Sequence, residues 1–148
     1  MPVPHRWQFK FQGHVSRWTV SREAILDLLS RTVKHMSAKE IYTSLYQRHP
    51  SIGLTTVYRT LDLLTRMNLI NKITLSDGQR RFEFKKGGKK GHHHHLICTE
   101  CDQIINYTEF EEEELSLIKK TEDKLANKYN FKITDHNIEF YGLCEKCN

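Results

Sequence analysis

Residues 53–84 read GLTTVYRTLDLLTRMNLINKITLSDGQRRFEF, and this stretch decides the fold of the first half of the chain. Leu54, Val57, Leu61 and Leu64 recur at helical spacing, so they predict one buried stripe on a helix that opens after Gly53. Thr55, Thr56, Arg59 and Arg66 fall mostly off that stripe. The period then changes: residues 69–75 read as a strand. Ser76-Asp77-Gly78-Gln79 is a hairpin signal, and residues 80–84 form the return strand.

Towards the N-terminus, Ile25, Leu28, Leu29 and Val33 predict a helix from about Thr19. Ser37-Ala38-Lys39-Glu40 is a capping box, with the Ser37 hydroxyl on one end amide and Glu40 reaching back to the other. Ile41 and Leu45 give the following helix its apolar face, and Pro50 lies past its end. Three helices and a β-hairpin, in that order, make a winged helix. Trp7, Phe9 and Phe11 alternate with polar residues, as a short strand or as an arm that packs only in a folded dimer.

Residues 85–91, KKGGKKG, hold nothing to bury and read as a linker. Beyond it, residues 94–98 and 103–107 read as short strands around a knuckle. Thr108-Glu109-Phe110-Glu111 has the pattern of a second capping box, and Glu111, Glu112, Glu113 and Glu114 suit the positive end of a helix running to about Tyr129. Asn130 is its stop, and residues 131–133 and 138–140 alternate like strand. The expected architecture is α+β. It comprises a winged-helix domain with an N-terminal arm over residues 1–86, a linker over 87–91, and a small α/β domain over 92–148.

The charge divides the same way. Of the 148 residues, 1–91 carry 17 Lys and Arg against 6 Asp and Glu, a net of +11. Residues 92–148 carry 6 against 12, a net of −6, which together give the formal +5. A basic half beside an acidic half predicts that the first half meets a polyanion. No apolar run approaches the length of a membrane span and the N-terminus lacks the apolar core of a secretory signal, so a cytoplasmic protein with reduced thiols is expected.

All four cysteines fall into two pairs, Cys98-x-x-Cys101 and Cys144-x-x-Cys147, separated by 42 residues. Two such knuckles complete a tetrahedral thiolate shell that leaves no open position. The expected occupant is a structural zinc clamping the C-terminus to the start of the second domain. His92, His93, His94 and His95 precede the first knuckle, and so internal a run is no terminal tag. In a strand His93 and His95 share one face and His92 and His94 the other, which suits two metal sites.

In the predicted third helix Thr55, Thr56, Tyr58 and Arg59 occupy the first turns, where a recognition helix meets base edges. Tyr58 can offer its ring to a thymine methyl or pack in the core; Arg59 suits guanine or phosphate. Arg22 is expected to hold phosphate.

These stretches resemble the ferric uptake regulator family. The matching residues are Arg17-x-Thr19-x-x-Arg22, His35-x-Ser37-Ala38 with Ile41-Tyr42, Gly53 to Leu61 (GLTTVYRTL), Arg81-Phe82-Glu83-Phe84, His92 to Cys101 (HHHHLICTEC) and the final Cys144-x-x-Cys147. The resemblance covers about residues 16–147. It implies a dimeric repressor, with a DNA-binding domain over 1–86 and a dimerisation and metal-binding domain over 92–148, that binds an inverted-repeat operator in double-stranded DNA when a regulatory metal is loaded. It implies a sensing site at His35, Glu83, His93 and His95, holding Fe2+ first, then Zn2+ or Mn2+. It implies a third site at His92, His94, Glu113 and His136, although the family often has Asp where this chain has His94. At Asn106 many members carry a carboxylate, typical of the peroxide-sensing branch; Asn106 argues against that branch and leaves three nitrogens and one carboxylate for the sensor. A zinc or peroxide sensor of the same family is the nearest alternative. A metalloenzyme built on the His/Glu cluster is the more distant one, since no nucleophile stands beside that cluster and the basic half would have no role.

Overall fold

The computed structural model describes Trp7 and residues 17–86 and 93–148. The chain divides into two compact units, Met1–Lys86 and Gly87–Asn148.

The first unit contains α1 (Val20–Arg31), α2 (Ala38–Tyr46), α3 (Leu54–Arg66) and the hairpin β1 (Ile70–Thr74) and β2 (Arg80–Phe84). Thr19 caps α1 through its hydroxyl. Both halves of the Ser37–Glu40 capping box are formed on α2, at 3.2 and 2.7 Å. The backbone bond from Ser37 holds the Glu40 carboxyl below its ordinary range. Ile25, Leu26 and Leu29 from α1, Ala38 and Ile41 from α2, and Val57, Leu61 and Leu64 from α3 interlock as one core. In the hairpin Gly78 takes φ +85°, a left-handed conformation that glycine adopts without strain, and Thr74 pairs with Arg80. Met36 and Phe82 exchange backbone hydrogen bonds at 3.0 and 2.8 Å, so the chain before α2 runs against the wing.

Val33 departs from expectation: α1 ends at Arg31, Thr32 turns extended, and Val33 is 96% exposed. Trp7 is buried. Its backbone N–H donates to both oxygens of Glu23, which also accepts from Trp18 Nε1 at 2.7 Å, and its ring lies 5.2 Å from that of Phe84. The alternation of Phe9 and Phe11 and the linker over 87–91 lie outside the described residues.

The second unit contains β3 (His94–Cys98), β4 (Ile104–Tyr107), α4 (Glu111–Tyr129) and β5 (Glu139–Gly142), with strand order β4-β3-β5. β4 pairs antiparallel with β3 and β5 parallel to it. Asp102 takes the left-handed turn of the first knuckle at φ 59°, and Asn130 ends α4 at φ 48°. Two expectations fail. The second capping box does not form: Phe110, at φ 64°, stands at the helix N-cap with no side-chain cap bond, and the Glu109 carboxylate turns back to the Thr108 amide. Residues 131–133 are not strand, and pairing with β3 begins only at Glu139.

Candidate metal centres and nucleic-acid interface

The cysteines come together through two turns. Cys98 ends β3, and the left-handed Asp102 folds Cys101 back towards it; Cys144 and Cys147 sit on the turn after β5. Because β5 runs parallel beside β3, with Cys98 opposite Gly142, both knuckles lie at the same end of the sheet. The four Sγ atoms all lie within 4.8 Å of one another, and Cys101 and Cys144 are 3.7 Å apart. Four thiolates about 2.3 Å from a central zinc stand about 3.8 Å apart, so the set fits that ion. None of the four is in a disulfide. Backbone N–H groups, first of Cys101 and then of Cys144, pull the Cys98 thiol down to about 6. Sharing its proton with Cys144 and Cys101 pushes Cys147 up to about 12. A divalent ion supplies the charge that lets the whole set ionise together.

A His–Glu pair stands beside the wing. The Met36–Phe82 bridge brings the residue before Met36 level with the residue after Phe82, and His35 Nε2 lies 2.9 Å from Glu83 Oε2. Glu83 is buried, and its other oxygen accepts from Asn71 Nδ2 at 3.1 Å. Asn71 is the cross-strand partner of Glu83. Sequence reasoning missed it, although counting back across the hairpin from Gly78 reaches it.

In the second unit the rings of His93 and His95 meet edge to face, 4.9 Å apart, and His95 stands opposite Asn106. His94 points to the other side of β3. Its Nδ1 is 2.6 Å from Glu114, which also accepts from Tyr107 at 2.9 Å. Burial, then that bond, pushes the Tyr107 phenol up to about 12. Glu113, the residue expected here, is exposed. One step along a helix rotates a side chain by about 100°, and α4 packs so that Glu114 faces the sheet. His136 lies with its ring 6.0 Å from that of His94 and pairs with Glu122 at 3.0 Å. His92 lies outside the described residues.

On α3 the buried stripe of Val57, Thr60, Leu61 and Leu64 leaves Thr55, Thr56, Tyr58 and Arg59 exposed together. Tyr58 is 45% exposed and therefore not a core residue. Beside it a cleft of about 600 Å3 opens between the start of α2 and the wing, lined by Lys39, Arg80, Arg81 and Tyr58 among others. Arg22 donates to the Arg17 carbonyl, and burial followed by the charge of Arg17 lowers its guanidinium below the usual range.

A winged helix with an exposed polar recognition face, a His–Glu pair at its wing, and a second unit closed by four thiols define a metal-binding regulator of DNA. The comparisons agree. Residues 14–141 match the ferric uptake regulator family. The ferric uptake regulation protein of Bacillus subtilis is 38% identical over 144 residues, 95% of this chain and 93% of its own length. The peroxide operon regulator of the same organism is 30% identical over 132 residues, covering 89% and 84%. The Helicobacter pylori ferric uptake regulator, described as having three functional metal-binding sites, superposes with a TM-score of 0.65 at 29% identity, over 85% of this chain and 80% of that one. The chain belongs to the ferric uptake regulator family. Its members are metal-responsive transcriptional repressors, and this chain is such a regulator and not an enzyme.

Proposed function

We propose that the chain is a cytoplasmic, homodimeric repressor of metal-homeostasis genes that binds an inverted-repeat operator when iron(II) or zinc occupies His35, Glu83, His93 and His95. Manganese ranks third. The observation that carries this reading is the largely enclosed His35–Glu83 pair, whose carboxylate is on the wing and whose histidine is held beside it ahead of α2, so that an ion bound there acts on the DNA-reading unit. The second unit contributes His93 and His95, adjacent on one side of β3. An ion liganded by both units narrows their relative orientations. Swinging a DNA-competent arrangement from one part in a hundred to ninety-nine requires about 5.5 kcal/mol of differential affinity, and DNA must tighten metal binding by the same factor.

Cys98, Cys101, Cys144 and Cys147 hold the structural zinc in this reading, and Arg22, Thr55, Thr56, Tyr58 and Arg59 meet DNA. The third set, His92, His94 and His136, takes its carboxylate from Glu114 rather than Glu113. A second copy of the chain covers the sheet of the second unit. Leu96, Ile105 and Phe140 form one cross-strand row there, and each is at least 40% exposed. Among the described residues no helix is long and apolar enough to cross a membrane. The test is selection of bound DNA from genomic fragments by the purified protein, with iron(II) or zinc present and again with chelator. Recovery of inverted repeats only with metal supports the reading; equal recovery in chelator contradicts it.

A further inference from the structure

The carboxylate of Glu83 is held at both oxygens by different partners. Asn71 Nδ2 donates to Oε1 at 3.1 Å, while His35 Nε2 stands 2.9 Å from Oε2. The first contact follows from strand pairing, since β1 places Asn71 directly across from Glu83. The second follows from the Met36–Phe82 bridge. Phe82, next to Glu83, is in the core, so β2 cannot roll to re-aim the carboxylate. An ion beside His35 therefore meets Oε2 first, and chelation by both oxygens has to compete with the Asn71 bond for Oε1.

We propose that Asn71 is a positioning residue that limits Glu83 to one-oxygen coordination and so biases the regulatory site against manganese. The inference rests on the regulatory-site reading above. In that reading Glu83 gives one oxygen and His35, His93 and His95 each give an imidazole, a set of four ligands. Asn106, across from His95, carries no charge with which to extend that set. Four N/O ligands suit tetrahedral zinc and its borderline neighbours, whereas manganese prefers octahedral oxygen-rich surroundings. Groups that hydrogen-bond a metal-binding carboxylate change metal affinity by about 10–100-fold when removed. Releasing Oε1 lets Glu83 chelate, raises the coordination number, and moves preference towards manganese.

The experiment uses full-length protein with zinc retained in the cysteine site and cobalt(II) added to the second site. It compares the parent with Asn71→Leu, which keeps the volume but loses the donor, and with Asn71→Ala should the leucine variant fold poorly. The parent should show the strong visible absorption of four-coordinate cobalt. The variant should show a weakened band, and zinc-over-manganese selectivity in competition should fall at least about tenfold. Unchanged bands and selectivity in the variant, with the band lost in Glu83→Ala, overturn the inference while sparing the regulatory site. A band that survives Glu83→Ala overturns the site and the inference together.

Discussion

Replacing Cys144 with serine should unfold the second unit and leave the first intact. Among the described residues, the aliphatic side chain buried in that unit is Ile97, and α4 buries none of its residues. Fully burying one such side chain stabilises by about 1.5–3 kcal/mol. A closed thiolate zinc site contributes about 10–16 kcal/mol at neutral pH, so the metal dominates. Cys144 brings one of the four ligand sulfurs, and its own N–H bonds Cys98 Sγ at 3.4 Å. Helix α4 has 19 residues beside 12, 9 and 13 in α1, α2 and α3, just over a third of the helical content. With no buried stripe of its own it should melt with the site. Far-UV circular dichroism should therefore lose about that share of its helical signal, zinc content should drop, and sedimentation should show a monomer. A metal-free Cys144→Ser protein that keeps full helical signal and sediments as a dimer would refute the reasoning.

Ser37→Ala should lower the melting stability of the first unit by about 1 kcal/mol at pH 7. Glu40 is held below its usual range by Ser37, so its stabilisation is present above the unfolded carboxyl value and lost as pH falls through the folded one. The donor is the Ser37 backbone N–H, which alanine keeps, so the gap between Ser37→Ala and the parent should stay nearly constant with pH, whereas the gap between Glu40→Gln and the parent should shrink at acid pH; a Glu40→Gln gap that does not shrink would show that Glu40 takes no part in the cap. Arg59→Ala should weaken operator binding by about 1–3 kcal/mol. A salt dependence shallower by about one unit would mark a phosphate contact, and an unchanged slope with relaxed sequence preference a guanine contact. Unaltered operator affinity would remove α3 from the interface.

The parts legible in the sequence are those set by neighbours along the chain. The Ser37 box, the Gly78 turn and the α3 stripe each depend on a few consecutive residues; the first two form as their patterns predict, and the stripe does so at Val57, Leu61 and Leu64, with Leu54 only partly covered and Thr60 buried beside them. The cysteine pairs were equally legible, since a knuckle is a local turn. Patterns of the same kind failed where tertiary packing decided. Val33 keeps helical spacing but lies past an extended Thr32. Residues 131–133 alternate without a strand partner. In the run of four glutamates, composition cannot say which faces the sheet; the seat of α4 against β3 selects Glu114 for His94. Trp7 was ambiguous because its partner, Glu23, lies 16 residues away.

The regulatory claim is tested most directly by titrating a selected operator with the parent and with His93→Ala, each with and without added iron(II) or zinc. His93→Ala should keep its dimer and its cysteine zinc, and bind DNA with the same weak affinity whether or not metal is added. If metal tightens its binding as much as it tightens the parent's, the sensing site lies elsewhere, and the His94, Glu114 and His136 group becomes the place to look.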